Sequence, residues 1–264
     1  MNTLRSVHGR QPALTVYGLL MLAAAAAMLF MQTIDLRQFD GVDIWTKPTK
    51  FCLSVGVFAL TSAWFFGYVR SERRKGFGPR YVVWATVIFG TFENGWITWQ
   101  AAHAAASHFN TSSVFTIVMY ALMGLGAVLL VATTLPLACE IARHPVDGLR
   151  PDYRFAVVAG LLLTFVLGGG MGGYMAAQHS HAVGMNSGHF PIFGWNRGGG
   201  DLRVAHFFGM HFEQALPILA AVLAPLGLRL RWLILGLAMA GGMALTFFAL
   251  QQAVAGQAFL PGIG

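Results

Sequence analysis

The sequence predicts an all-α fold, a polytopic membrane bundle of seven transmembrane helices, and three observations predict it. Only 10% of the 264 residues are charged and 56% are hydrophobic, whereas soluble domains carry roughly 25% charged residues. Too little polar surface remains to face water on every side. Seven apolar stretches, 12–34, 51–70, 80–102, 113–138, 154–177, 203–227 and 231–255, each reach the roughly 20 residues that cross a hydrocarbon core. The basic residues sit in the short segments between these stretches, where they set topology. Residues 1–264 therefore read as a single integral membrane domain, with the lipid bilayer as its first partner. The net charge of +7 belongs to those topology signals and implies no nucleic acid.

The first stretch follows Arg5 and Arg10. Met28 to Met31 extend it beyond its alanine run, which favours a span over a cleaved leader. Segment 35–50 is charged with both signs. The third stretch carries Glu93, Asn94 and Gln100, and segment 103–112 contains Ser107-His108-Phe109-Asn110. The fifth ends in Leu167-Gly-Gly-Gly-Met-Gly-Gly-Tyr174, where glycines permit close backbone approach; a neighbouring helix fits that groove better than a flat cofactor. Segment 178–202 is long, rich in glycine and carries His179, His181 and His189; an outer lid and an ordinary surface loop both stand open. Cys52 and Cys139 fall at opposite ends of neighbouring helices, so no disulfide joins them in this arrangement.

Twelve of the seventeen Lys and Arg residues lie on one side if the N-terminus is cytoplasmic. Arg37, Lys47, Lys50, Arg197 and Arg203 lie on the other. The rule that basic loops stay inside then sets the N-terminus in the cytoplasm and the C-terminus in the periplasm of a bacterial inner membrane. Seven of the nine histidines fall on the periplasmic side. That side is the functional one.

The densest polar run opens the sixth stretch: Asp201-Leu-Arg-Val-Ala-His206-Phe-Phe-Gly-Met-His211-Phe-Glu213-Gln214. Each ionisable group in a bilayer costs on the order of 2.5–3.5 kcal/mol on insertion scales, so the run asks for a function. His206 and His211 are about 140° apart on a regular helix; they need partners elsewhere, or Gly209 must distort the turn. Pro217 leaves a carbonyl without its donor one turn beyond Glu213, a device for a kink. Glu213 lies roughly 15 Å in from Arg203, and Glu93 lies as far in from His103, so two carboxyls share a depth and can form a proton relay. Lys47, Lys50 and Arg203 mark the outer rim, where they suit an anionic group such as a haem propionate.

Trp45-Thr-Lys-Pro-Thr-Lys-Phe51, Ser107-His108-Phe109-Asn110, His181-Ala-Val-Gly184 and Gly200-Asp-Leu-Arg-Val-Ala-His-Phe-Phe-Gly-Met-His211 resemble segments of an uncharacterised group of bacterial multi-helix inner-membrane proteins. The resemblance spans most of the chain and implies no activity. It singles out Lys47, Lys50, His108, His181, Asp201, Arg203, His206 and His211. Histidine boxes of membrane desaturases, the last-helix Lys of rhodopsins, HExxH, Walker A and GxSxG motifs are missing from the sequence in any useful context.

The first expectation is a membrane redox protein, with His108, His181, His206 and His211 as ligands of haem b, or of copper or zinc. Lys47, Lys50, Arg203 and Gln214 would help to bind the cofactor, and a quinone or a periplasmic redox protein would be the partner. The alternative is a proton- or cation-coupled transporter or channel using Glu93, His211 and Glu213. A third is a metal-dependent membrane oxidoreductase or other enzyme acting on a lipid or quinone. The oligomeric state is not specified by the sequence.

Overall fold

The computed structural model of the protein describes residues 3–190 and 193–259, which are predominantly helical. They form two compact units, Met1–Asp147 and Gly148–Gly264. Five helical segments are long and apolar enough to cross a membrane: Pro12–Ile34, Thr46–Phe66, Val114–Arg143, Pro151–Ala177 and Leu228–Val254. The other two expected spans are present as helix but fall short of that description for physical reasons. The third carries Arg80, Glu93, Asn94 and Gln100, which lower its hydropathy, and the sixth is cut in two at His211.

In the first unit, α1 (Thr3–Arg10) leads into α2 (Pro12–Ile34). Gln11 caps α2 by accepting from the Ala13 N–H, and Pro12 at the first position lacks only an N–H that would have no partner there. A hairpin follows, β1 (Gln38–Phe39) paired with β2 (Val42–Asp43), around Asp40-Gly41 with φ of 51° and 73°. This is the Asp-Gly signature of a tight turn that needs positive φ at both positions. The second span begins at Thr46, not at 51, because Pro48 sits in the first turn of α3 (Thr46–Phe66), where its missing donor costs nothing. α4 runs unbroken over Phe77–Ala102.

The expected helix 113–138 is two helices, α5 (Val114–Val131) and α6 (Thr134–Arg143). Ser113 and Thr116 form a capping box at its start. Pro136 cannot donate to the Ala132 carbonyl, and Thr133 and Thr134 turn their hydroxyls onto the carbonyls of Leu130 and Val131. The ladder lapses there, and α6 carries the segment to Arg143.

The second unit starts with α7 (Pro151–Leu163), which passes through one π-helical stretch, Thr164–Gly169, into α8 (Gly170–Ala177). β3 (Ala182–Val183) pairs antiparallel with β4 (Gly200–Asp201), so segment 178–202 closes on itself, although residues 191 and 192 of it lie outside the described residues. The expected helix 203–227 is α9 (Leu202–Met210) and α10 (Phe212–Val222), and α11 (Leu228–Val254) completes the unit. The core joins α7, α10 and α11 through Ala156, Leu167, Phe212, Leu216, Ala220 and Leu235. At one end Asp152, 1% exposed, is held by Arg150 and Arg231, while Arg150 also donates to the Ala220 carbonyl at 2.8 Å.

Candidate functional site

The first unit gathers one set of the expected residues. Lys47 lies in the first turn of α3 and His108 in the loop between α4 and α5; the Lys47 Nζ is 3.0 Å from His108 Nδ1. An ammonium has only protons to give, so Nδ1 accepts and the ring proton sits on Nε2. Ser107 Oγ is 3.2 Å from the same nitrogen. Phe51, Phe109 and Tyr120 surround the imidazole at centroid distances of 5.8, 6.3 and 6.3 Å. Burial first, and the Lys47 charge second, hold His108 down at about 3. The ring is therefore neutral at physiological pH, and its one lone pair is already engaged by Lys47.

α4 supplies the frame of this pocket. The Gln100 amide donates to the Ala106 carbonyl at 2.9 Å and the Trp96 indole to the Ser107 carbonyl at 3.1 Å, which fixes the loop that carries His108. Glu93 is 4% exposed and its Oε1 has no hydrogen-bond partner. That oxygen lies 3.0 Å from the point a Cβ on Gly126 of α5 would occupy, so the glycine makes its room. Lys50 stands half-buried one turn along α3.

Asp35, just beyond α2, shows how the neighbouring loop is held. Its carboxylate takes two hydrogen bonds from the Arg37 guanidinium and one from the Trp45 indole, while Arg37 reaches the Ala102 carbonyl at the end of α4. The Arg37 bonds, ahead of the other causes, hold the Asp35 carboxyl well below the usual range.

The second unit holds the polar run around the break at His211. Gly209 explains why α9 can cross the π-helical stretch so closely: a Cβ there would stand 2.6 Å from the Gly168 nitrogen and 2.7 Å from the Leu167 carbonyl carbon. Thr164, at the start of the π-helix, accepts from the Glu213 N–H at 3.0 Å and lies 3.4 Å from the Met210 carbonyl. The threonine thus serves backbone groups that the interruption exposes. Glu213 is 1% exposed; Gln214 donates to its Oε1 at 2.7 Å, whereas Glu213 Oε2 and Gln214 Oε1 are buried without a partner. Pro217 brings no N–H to the Glu213 carbonyl.

The two histidines of the run are set alike. His206 Nδ1 is 2.8 Å from the Gly168 carbonyl and His211 Nδ1 is 2.7 Å from the Phe207 carbonyl. Carbonyls only accept, so each Nδ1 donates and Nε2 is the nitrogen left to face other groups. His206 is half-buried over Gly172, and His211 is exposed. Among the described residues no three His, Cys, Asp or Glu side chains stand together as a metal-holding group.

Arg203 is committed locally. Asp201, 2% exposed, accepts from the Arg203 backbone and guanidinium and from the Asn196 N–H, and Arg203 also donates to the Gly194 carbonyl. His181 sits at the start of β3, where its carbonyl accepts from the Leu202 N–H at 2.8 Å.

Two residues outside the sequence reading organise these sites. Thr164 had a legible signal, a hydroxyl inside an apolar, glycine-rich span. Asn196, whose side chain ties Ser187, Gly198 and Met185 together, had none beyond its place beside a run of glycines. Comparison with protein-family models, with curated proteins and with solved structures finds no match.

Proposed function

We propose that this protein is a seven-span bacterial inner-membrane transporter or channel, N-terminus cytoplasmic and C-terminus periplasmic, that moves protons or a monovalent cation. Its spans are α2, α3, α4, α5–α6, α7–α8, α9–α10 and α11. Glu93 and Glu213 are the carboxyls that carry the charge. The one observation on which this reading rests is Glu213: a fully buried carboxyl with an unpartnered oxygen, two residues past an interruption that divides its span into pieces of nine and eleven residues. Discontinuous helices with ionisable groups at mid-membrane are the layout expected of secondary transporters, and π-helical stretches concentrate at functional sites. The basic-residue distribution supports the orientation.

The test is pH-gradient-driven flux in proteoliposomes, read with a trapped pH dye. Wild type should dissipate an imposed gradient, and Glu93→Gln and Glu213→Gln should each lose most of that activity. Flux in both variants equal to wild type contradicts the assignment.

A second reading, a membrane redox protein binding haem b, is favoured by one observation: His206 and His211 both anchor Nδ1 on a backbone carbonyl and leave Nε2 to ligate. A haem takes one or two imidazoles, not a three-residue cluster. Detergent-purified protein with a Soret band that is lost in His206→Ala supports this reading; colourless protein from haem-replete cells contradicts it.

A further inference from the structure

We propose that the break between α9 and α10 is a binding site for a bare, hard monovalent cation, for which sodium is the probe, built from Glu213, Gln214, Thr164 and the Met210 and Glu213 carbonyls. The inference deepens the transport reading, on which it rests for the use made of the ion. It begins from acceptors outnumbering donors. Glu213 Oε2 and Gln214 Oε1 are both buried and both without a hydrogen-bond partner, and neither can satisfy the other while both only accept. The Gln214 amide nitrogen gives one of its two protons to Glu213 Oε1 at 2.7 Å. Thr164 Oγ1 accepts from the Glu213 N–H at 3.0 Å and keeps a second lone pair. The Met210 carbonyl lies 3.4 Å from the Thr164 hydroxyl, and the Glu213 carbonyl loses its helical donor to Pro217.

Every candidate ligand is oxygen, which selects a hard cation over a soft metal. Charge selects its valence. The set contains one carboxylate, and among the described residues no basic side chain makes an ion pair with it. A monovalent ion leaves the site neutral in a low-dielectric span, whereas a divalent ion leaves a net positive charge. The interruption matters as much as the side chains. A continuous helix would have engaged these carbonyls in its own ladder, and irregular backbone at membrane depth is tolerated where it lines a polar site.

The experiment is thermal unfolding of the full-length protein in detergent, with NaCl titrated against choline chloride at constant ionic strength and fixed pH. Sodium should raise Tm saturably, by several degrees over a hundredfold range, where choline does not. Gln214→Leu and Thr164→Val each remove one oxygen; they should weaken the apparent sodium affinity at least tenfold, and Glu213→Gln should abolish the shift. Equal responses to sodium and choline overturn the site, as does a sodium shift retained in Glu213→Gln and Gln214→Leu. Should Glu213→Gln fail to fold, the other two variants carry the test. Failure here is distinguishable from failure of the transport reading. A sodium-dependent Tm shift without flux removes transport and keeps the site; pH-driven flux without a sodium shift keeps transport and removes the site.

Discussion

Glu93 and Glu213 are both buried carboxyls with an unpartnered oxygen and an amide-bearing residue next in sequence, yet their surroundings differ. Glu93 sits in an unbroken helix of 26 residues, with its room made by Gly126 of a neighbouring helix. Glu213 sits at a helix interruption braced by a neighbouring π-helix, with its N–H served by a threonine hydroxyl and, among the described residues, no basic side chain in an ion pair with it. The lesson is that a carboxyl can be placed in a span in two ways. The helix can stay whole and a neighbour's glycine make the room, or the backbone can be opened around it so that oxygens are left for an ion.

If the backbone opening is what matters in the second unit, closing the approach there should do the most damage. Gly209→Val places a Cβ against the Gly168 and Leu167 backbone, which cannot rotate aside. We expect a loss of about 3 kcal/mol or more, at the upper end of overpacking costs, seen as collapse of the folded peak in size-exclusion chromatography. A normal Tm in that variant would remove the tight crossing from the account. Next in size is Asp201→Ala, which strips the anion from Arg203 and the acceptor from Asn196; breaking a buried pair costs about 3–5 kcal/mol, reduced here because Arg203 is 28% exposed. Thermal unfolding should show it, and Asp201→Asn should recover part of the loss.

In the first unit the expected effect is smaller and depends on pH. His108 is held at about 3 against an ordinary 6.5, so between those values the unfolded chain binds the proton that the folded chain refuses. Stability from this group is therefore complete above about 6.5 and falls as the pH drops towards about 3. Tm measured from pH 7.5 to pH 4.5 should decline, and His108→Asn, which keeps an acceptor for Lys47 but cannot titrate, should flatten the decline. An unchanged slope would mean that His108, buried beside Lys47, is not the group whose suppressed protonation sets the pH dependence. The smallest effect expected is Gly126→Ala, about 1 kcal/mol, since the added methyl meets a carboxyl oxygen at 3.0 Å and two ring edges beyond 3.5 Å, not backbone. It should slow flux more than it lowers Tm, because it presses on Glu93.

What was legible in the sequence follows from these same forces. Long apolar runs name their own helices: Pro12–Ile34 is the expected range, and the expected 231–255 begins only three residues late and ends one residue beyond Leu228–Val254. The glycines of the fifth stretch were read as a surface for a neighbouring helix, and Gly168 does meet Gly209. The interruptions were harder to locate. Pro217 announced a kink, but α10 carries that proline within a continuous helix and the cut falls at His211, where Gly209 has been drawn onto the π-helix. A local proline signal cannot report a packing contact made 40 residues away. The Lys47–His108 pair is likewise beyond reach of the sequence, where Lys47 suits an anionic group at the outer rim and His108 a haem or metal; only folding brings the ammonium onto Nδ1. The Asp40-Gly41 pair carries the hairpin signature in the sequence itself, within the charged segment 35–50.

One measurement bears most directly on the claim that Glu213 is the charge-bearing group at an opened helix. Wild type, Glu213→Gln and Glu213→Asp would be reconstituted at equal density, with matched Tm values confirming that each is folded, and initial rates of gradient dissipation compared. The account predicts that the glutamine form falls at least tenfold and that the aspartate form retains measurable flux. A folded glutamine form as fast as wild type would contradict it.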